Sequence, residues 1–349
     1  MFPPTSIVNL SHAFTDTLTG MKDVRLHTKF NKKEEPQMKI RKIAMMGLGP
    51  ILAASILLST QAQALPSNTA AAGDSITMGF AADCKYNRWF WDLFCLLGGD
   101  QPEHSWFDGW DSDVHSVHDK YKQINSSIKA NKNAAASGSE MRGGSNNFAT
   151  QAANIVAQSN KPDHVEVILG GNDICNRDCT DPNNCSNPVY SESQWRSSVR
   201  AGLNTLVGGL SAGSTVYLGG VPRVQDLRAA GLAKQATSSR IRCENVWSSY
   251  NICNIATKGS SMNGESISQR LAAIEGIQQR YNEIIAEEAA SYNGTNGVEV
   301  VASYQGENVS TVGTFSFGKN DIDGGDCFHP SRQGQSTAAN LMWNSNPDK

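Results

Sequence analysis

Short apolar runs bounded by glycine recur along the chain. Three of them cover residues 165–169, 215–218 and 298–302, and the first two end in glycine pairs. Their length and their β-branched residues predict strands. A fourth run, the alanines at 70–72, lacks β-branched residues and so matches the pattern of a strand poorly, although it too ends at a glycine, Gly73.

Helical patterns lie between these runs. The clearest covers Ser266 to Tyr292, a second covers 193–210, and a third, from Arg332 to Trp343, closes the chain. The apolar residues of the first share one face; they are Leu271, Ile274, Ile277, Tyr281, Ile284 and Ile285. Strands that alternate with helices predict an α/β fold whose parallel sheet is covered on both faces. Such sheets bind ligands at the carboxyl ends of their strands.

Residues 38–64 have the pattern of a secretory signal peptide. Lys39, Arg41 and Lys42 precede an uncharged apolar run, and residues 61–64 supply small residues at the cleavage positions. The apolar run is shorter than the roughly 20 residues of a membrane span and is interrupted by glycine and proline. We therefore expect cleavage and export, secreted or periplasmic. An uncleaved anchor is the alternative.

The predicted domains follow from this segment. Residues 1–37 are interpreted as an upstream extension, 38–64 as the signal peptide and 65–349 as one elaborated catalytic domain. The chain has a net charge of −3, and residues 1–64 hold 8 basic and 4 acidic side chains, so residues 65–349 carry −7. The lack of a basic excess argues against a nucleic-acid partner. We expect a soluble monomer that acts on an ester.

All eight cysteines follow the predicted cleavage site, and an even number in an exported protein indicates disulfides. Eight cysteines allow 105 pairings, so the connectivity stays open. Short separations favour Cys84–Cys95, Cys243–Cys253, one pair among residues 175, 179 and 185, and a bond from the remaining one of these to Cys327. A zinc site formed by the 175–185 cluster is the weaker alternative because its spacing departs from the usual pairs.

A carboxylate and a histidine near the C-terminus have a spacing that suits acid–base chemistry. Asp326 precedes His329 by three residues, and a turn would bring its carboxylate onto the imidazole Nδ1. The imidazole Nε2 would then face a serine hydroxyl, which needs such a base to become a nucleophile. An Asp–His pair in a surface turn, without catalysis, is the alternative.

Three further segments occur before this pair: Gly73-Asp74-Ser75, residues 133–138, and residues 170–173. In this order and spacing, the four blocks resemble those of the SGNH, or GDSL, hydrolase family across residues 73–330. The resemblance implies a flavodoxin-like three-layer α/β/α sandwich with a parallel sheet. Residues 80–130 and 222–265 would form disulfide-bearing insertions on it.

The resemblance also implies a role for five residues. Ser75 corresponds to the nucleophile, His329 to the general base, and Asp326 to the carboxylate that orients it. The backbone N–H groups of Ser75 and Gly138 and the side-chain amide of Asn172 correspond to the oxyanion donors. Such donors stabilise the charge that develops on one oxygen during acyl transfer.

Residues 171–175, the pair Ser105-Trp106 and residues 326–329 resemble strings of the phospholipase-B-like branch of that family. This implies a lipolytic esterase acting on fatty-acyl or phospholipid esters, with transient contact to a lipid surface. A carbohydrate acetyl esterase and a non-catalytic surface-binding module are the alternatives. Aromatic residues near 90–110 could contact acyl chains, stack on sugars or pack under disulfides; they are Trp89, Phe90, Trp91, Phe94, Trp106, Phe107 and Trp110.

Other candidate sites are weaker. Residues 321–326 hold three aspartates but lack a complete calcium loop, and His115 and His118 lack a third metal ligand. Because neither a P-loop nor a dinucleotide motif is present, we expect no cofactor and no metal. Asp74 and Asp173 are expected to accept hydrogen bonds from local backbone N–H groups.

Overall fold

The parallel sheet that the sequence predicts is present. The computed structural model describes residues 65–84, 99–130, 133–303 and 314–349. In these ranges five strands form one sheet, and every pairing is parallel. They are β1 (Asn68–Gly73), β2 (Lys129–Ala130), β3 (His164–Ile168), β4 (Thr215–Leu218) and β5 (Glu299–Ala302), in the spatial order β2-β1-β3-β4-β5. The predicted extension and signal peptide lie outside the described residues.

The helices occur in the connections between the strands. They are α1 (Val117–Ile124), α2 (Phe148–Val156), α3 (Gly171–Cys175), α4 (Glu192–Gly209), α5 (Leu227–Gln235), α6 (Cys243–Tyr250), α7 (Asn254–Thr257), α8 (Ile267–Tyr292) and α9 (Arg332–Asn344). The three helices predicted from periodicity, α4, α8 and α9, are confirmed to within one residue at each end. Within the described ranges, no helix is both long and apolar enough to cross a bilayer.

Right-handed crossovers determine which helices cover each face of the sheet. The chain moves from β1 to β2 in one direction and from β2 through β3 and β4 to β5 in the other. Since parallel crossovers are almost always right-handed, α1 lies on one face and α2, α4 and α8 lie on the other. Helix α9 contacts α1, and α4 contacts both α2 and α8. The three-layer, flavodoxin-like arrangement is therefore confirmed.

The alanine-rich run forms a central strand despite its poor pattern. Strand β1 pairs with β3 from Thr69↔His164 to Gly73↔Ile168, and with β2 on its other edge. Residues 69–73 are all buried. A strand that is covered on both faces has to be buried along its length, and small side chains allow the helical layers to approach it closely.

Helix α8 shows the predicted apolar face. Ile274, Tyr281, Ile284 and Ile285 are buried, and the other two predicted members are partly buried against the same core. The Ser266 hydroxyl accepts a hydrogen bond from the backbone N–H of Gln269, and the Gln269 side-chain oxygen accepts one from the backbone N–H of Ser266. This capping box defines the first turn of the helix.

The disulfides correct part of the predicted connectivity. A bond within the cysteine cluster is confirmed as Cys179–Cys185, but the predicted Cys243–Cys253 bond and the cluster-to-Cys327 bond are wrong. The observed bonds are Cys175–Cys253 and Cys243–Cys327. Helix α6 explains the error: its 8 residues, about 12 Å long, separate Cys243 from Cys253 beyond disulfide reach.

The disulfides also bear on the zinc alternative and on the predicted pairing of Cys84. The 175–185 cluster is engaged in disulfides, which removes the zinc alternative. Cys84 is disulfide-bonded, and its predicted partner, Cys95, lies outside the described residues.

Candidate active site

Two neighbouring strands bring the predicted nucleophile and the predicted oxyanion amide to one edge of the sheet. Ser75 follows the end of β1, and Asn172 lies in α3, directly after β3. The chain leaves β1 toward one side of the sheet and leaves β3 toward the other, so the two strands form a topological switch point. Open α/β sheets bind their ligands in the crevice at such a point.

Ser75, His329 and Asp326 form a continuous hydrogen-bonded chain. The Ser75 Oγ lies 2.8 Å from His329 Nε2, and His329 Nδ1 lies 2.5 Å from Asp326 Oδ2. Ser75 and Asp326 are buried, whereas the imidazole remains 14% exposed. The arrangement places a serine hydroxyl, a base and an orienting carboxylate in the order that nucleophilic catalysis needs.

The loop that carries Asp326 and His329 folds back on itself. Asp326 Oδ1 accepts hydrogen bonds from the backbone N–H groups of Phe328 at 2.9 Å and His329 at 3.0 Å. Its other oxygen, Oδ2, contacts the His329 imidazole. Cys327, which lies between Asp326 and Phe328, has a positive φ of 55°. The three-residue spacing therefore produces the turn that the sequence predicts.

Hydrogen bonds join the segments that carry the three predicted oxyanion donors, since the backbone N–H of Ala136 donates to the carbonyl of Gly73 at 3.2 Å and the Asn172 amide contacts Ser139. Among the described residues, neither the Ser75 nor the Gly138 backbone N–H finds a hydrogen-bond acceptor. Gly138 has a φ of +80°, and a Cβ there would meet no atom within 4 Å, so the position is open to a ligand. Asn172 Nδ2 donates one hydrogen to the Ser139 carbonyl at 2.9 Å, and a primary amide has a second to offer.

Asp173 links the loop after Gly138 to helix α3. Its carboxylate accepts hydrogen bonds from the backbone N–H groups of Met141 at 2.7 Å and Arg142 at 3.1 Å. The expected acceptor role is confirmed, although these donors lie about 30 residues away rather than nearby. A second link is the ion pair of Arg177 with Glu140, 2.6 Å from Nη2 to Oε2.

Burial alters the acidity of both aspartates that flank the predicted catalytic groups. Asp74 Oδ1 accepts the backbone N–H of Ile76 at 2.9 Å, which is the expected local bond. Burial raises the pKa of Asp74 to about 6, against the lowering effects of this bond and of His329. Burial likewise raises the pKa of Asp173 to about 7. The group within hydrogen-bond distance of the Ser75 hydroxyl is His329 Nε2 rather than either of these carboxyls.

A further buried acid, Asp323, lies close to Asp326. Burial, and then the negative charge of Asp326, raise the pKa of Asp323 to about 8, so this carboxyl is largely protonated at neutral pH. Asp323 Oδ1 accepts the backbone N–H of Gly325, and Asp321 accepts the hydroxyl of Thr337. The three aspartates at 321–326 thus face different partners, which argues against the calcium alternative.

Buried polar groups fix the residues on either side of Ser75. The Gln151 side chain pairs with both backbone groups of Gly73, since Oε1 accepts its N–H at 2.7 Å and Nε2 donates to its carbonyl at 2.9 Å. The Ser105 hydroxyl donates to the carbonyl of Thr77, and the Trp106 indole N–H donates to the Thr77 hydroxyl. Sequence reasoning singled out Ser105-Trp106 but did not assign it this role, and it missed Gln151.

Helix α6 anchors the segment that carries the predicted base, His329. Cys243, at its start, forms the disulfide with Cys327, and one turn later Trp247 Nε1 donates to the carbonyl of Cys327 at 3.1 Å. Lys234 Nζ donates to the carbonyl of Ile322 at 2.5 Å. The insertion at 222–265 therefore supports the Asp326–His329 turn.

Aromatic rings flank the imidazole of His329. The ring of Phe80 lies 4.5 Å and that of Phe328 4.8 Å from it, centroid to centroid. Among the predicted contact aromatics, Trp106 and Phe107 are fully buried, whereas Trp110 is 71% exposed. The other four lie outside the described residues.

The two histidines of the metal alternative do not form a site. His118 is buried in the first turn of α1, where burial lowers its pKa, and His115 precedes that helix with a φ of +52°. In the part of the chain that the structure describes, no group of three or more histidine, cysteine or acidic side chains could hold a metal ion.

The chain is similar to one protein-family model and to solved structures of low sequence identity. The model of the GDSL-like lipase/acylhydrolase family matches residues 70–342, which include all five predicted site residues. A solved structure of a Lactobacillus plantarum protein is 15% identical, with a TM-score of 0.38 over 80% of this chain and 96% of its own. A second is 12% identical, with the same TM-score, over 82% and 97%. No curated protein matches the chain.

Proposed function

Because the chain belongs to the GDSL-like lipase/acylhydrolase family, whose members hydrolyse ester bonds, we propose that it is a secreted carboxylic ester hydrolase with Ser75 as nucleophile. The hydrogen-bonded chain from Ser75 through His329 to Asp326 carries the proposal. The disulfides support export, because such bonds persist in oxidising compartments.

The first half of the reaction forms an acyl-enzyme. Ser75 Oγ attacks the ester carbonyl carbon while His329 Nε2 takes the hydroxyl proton. The carbonyl oxygen becomes an oxyanion, and the tetrahedral intermediate collapses as His329 gives the proton to the leaving alcohol. Asp326 keeps Nδ1 protonated and stabilises the imidazolium that forms in between.

The second half releases the acid. Water takes the place of the alcohol, His329 removes one of its protons, and the hydroxide adds to the acyl carbon. Collapse of this second intermediate returns the proton to Ser75 Oγ. In both halves the N–H groups of Ser75 and Gly138 and the amide of Asn172 stabilise the oxyanion.

The proposed substrates are fatty-acyl or phospholipid esters. Phe80 and Phe328 place apolar surface beside the imidazole, where an acyl chain or an apolar leaving group could pack. The exposed Trp110 supports transient contact with a lipid surface. We propose a monomer with no nucleic-acid partner.

Hydrolysis of p-nitrophenyl esters tests the assignment. We expect Ser75→Ala to lose the activity and Ser211→Ala, an exposed serine outside the site, to retain it. Equal activity of Ser75→Ala and wild type would contradict the proposal, as would an inactive wild type.

An acyl-chain series from acetate to palmitate, with a phospholipid and an acetylated glycan, tests the substrate class. We expect the longer chains and the phospholipid to be preferred. A preference for acetate or for the glycan would indicate a carbohydrate acetyl esterase and leave the mechanism intact.

A further inference from the structure

A single buried amide connects the segment that carries the base to the turn that carries the nucleophile. Gln335 lies in α9, six residues after His329, and is fully buried. Its Nε2 donates to the carbonyl of Ile76 at 2.9 Å, and its Oε1 accepts the backbone N–H of Trp106 at 3.0 Å. Ile76 directly follows Ser75.

Helix α9 continues directly from the base. The Ser331 hydroxyl, two residues after His329, accepts the backbone N–H of Gly334 as the N-cap, and the helix begins at the next residue. The backbone N–H of Arg332 donates to the carbonyl of Ala82 at 2.8 Å, beyond the nucleophile turn. A displacement of α9 relative to this turn would therefore displace His329 relative to Ser75.

We propose that Gln335 is a positioning residue that sets the approach of His329 to Ser75. The inference rests on the proposed function, because it concerns the same reaction. The hydrogen bonds of the Gln335 side chain join it to the backbone of Ile76 and Trp106 rather than to the two reacting side chains, so it acts through the backbone of Ile76 and through α9.

The chemistry of the contact explains why a glutamine occupies this position. The carbonyl of Ile76 needs a donor, the N–H of Trp106 needs an acceptor, and a carboxamide offers one of each at a fixed separation. A methionine has a similar volume but offers no donor to the carbonyl. A glutamate keeps the acceptor for Trp106 and loses the donor for Ile76 while it is ionised.

The test measures kcat and KM for three variants. We expect Gln335→Met and Gln335→Glu to lower kcat by about 10–100-fold, since a misplacement of about 1 Å can cost that much, with KM within about threefold. Gln333→Glu, an exposed position on the same helix, is the matched control and should stay within about twofold of wild type.

The pH dependence of Gln335→Glu separates positioning from a general loss of structure. Once the introduced carboxyl is protonated, its hydroxyl can donate to the carbonyl of Ile76, and burial favours the protonated form. The ratio of wild-type kcat to that of Gln335→Glu should therefore decrease as the pH is lowered from 8 to 6, whereas the ratio for Gln335→Met should stay constant.

Three results would overturn the inference. The first is wild-type kcat in both Gln335 variants, and the second is a loss that shows no pH difference between them. The third is a loss fully accounted for by the unfolded fraction, measured by circular dichroism. Each differs from a failure of the proposed function, which would appear as activity in Ser75→Ala.

Discussion

Two of the histidine–aspartate contacts among the described residues are nearly equal in length and lie in different settings. His329 Nδ1 lies 2.5 Å from Asp326, and His164 Nδ1 lies 2.6 Å from Asp348. The first pair is at the carboxyl edge of the sheet, beside Ser75. The second is at the opposite edge, where His164 begins β3 and Asp348 is the penultimate residue of the chain.

The group that faces Nε2 distinguishes the two pairs. His329 Nε2 faces a serine hydroxyl, which can give up a proton, and its ring is partly exposed. His164 Nε2 lies 3.1 Å from the carboxylate of Glu166, and its ring is fully buried beside Tyr121. A histidine between two carboxylates retains its proton and serves as a structural cation. The Asp–His contact alone therefore does not identify a catalyst.

Burial and charge act in opposite directions on His164. Burial alone would lower its pKa, but hydrogen bonds to Asp348 and Glu166 outweigh it and raise the pKa to about 9. The second pair thus fastens the C-terminal residues to the start of β3. A hydrogen bond from the Thr215 hydroxyl to Asp348, 3.2 Å long, adds to this attachment.

Replacing the aspartate of each pair should give the largest effects, on kcat for the first pair and on the free energy of unfolding for the second. Asp326→Asn is expected to lower kcat by about 10⁴-fold, because the imidazole loses its orientation and its tautomer. Asp348→Asn should leave kcat within about twofold and lower the free energy of unfolding by about 3 kcal/mol, because it leaves a buried cation partly unpaired. Ester kinetics and urea unfolding of both variants check this; equal losses of kcat would contradict the distinction.

The disulfide beside the first pair offers the next largest effect. Replacing Cys243 and Cys327 together with serine should lower the free energy of unfolding by about 4 kcal/mol. Replacing Cys179 and Cys185 should lower it by about 2 kcal/mol. The first loss is larger because the first bond joins residues 84 positions apart and the second joins residues only 6 apart. The first double variant should also lower kcat, since Cys327 adjoins Asp326, and the second should not. Unfolding and kinetics of both measure this, and unchanged kcat in the first would remove the support role of α6.

Two side-chain amides, the half-buried Asn172 and the buried Asn346, allow a third comparison. Asn172→Ala should lower kcat by about 10²–10³-fold, as expected for the loss of one oxyanion donor. Asn346, whose Nδ2 donates to Glu166 at 3.1 Å, belongs to the second pair, and Asn346→Ala should leave kcat within about twofold. Wild-type kcat in Asn172→Ala would argue against the proposed oxyanion site.

The last comparison is the pH dependence of the stability that the second pair contributes. Because the folded-state pKa of His164 is about 9 and its ordinary value is 6.5, its stabilising contribution is complete below about pH 6.5 and is lost as the pH rises through 9. The unfolding free energy of wild type should exceed that of His164→Gln by about 3 kcal/mol at pH 6. The difference should shrink at pH 9.5. A difference that grows with pH would contradict this assignment.

Sequence patterns indicate the residues of the candidate site more directly than the distant contacts that hold those residues in place. The four blocks at 73–75, 133–138, 170–173 and 326–329 follow strand ends or a tight turn, and residues there meet because parallel strands share one carboxyl edge. Helices α4, α8 and α9 were equally predictable, since their apolar faces repeat with helical periodicity.

The contacts that hold the candidate site and the second histidine pair in place join residues distant in sequence, and no local sequence pattern predicts them. Gln335 and Ile76 are 259 positions apart, and His164 and Asp348 are 184 apart. Cysteine pairing failed for the same reason, since Cys243 is nearer to Cys253 along the chain but lies against Cys327 in the fold. A buried glutamine has no sequence signature, although the position of Gln335 on the inner face of an amphipathic helix could have drawn attention to it.

The most direct test of the central claim is mass spectrometry of the protein after brief reaction with a p-nitrophenyl ester and an acid quench. We expect one acyl group, mapped by peptide analysis to Ser75, in wild type and in His164→Gln, and none in Ser75→Ala. An acyl group on another residue, or no difference between wild type and Ser75→Ala, would contradict the mechanism.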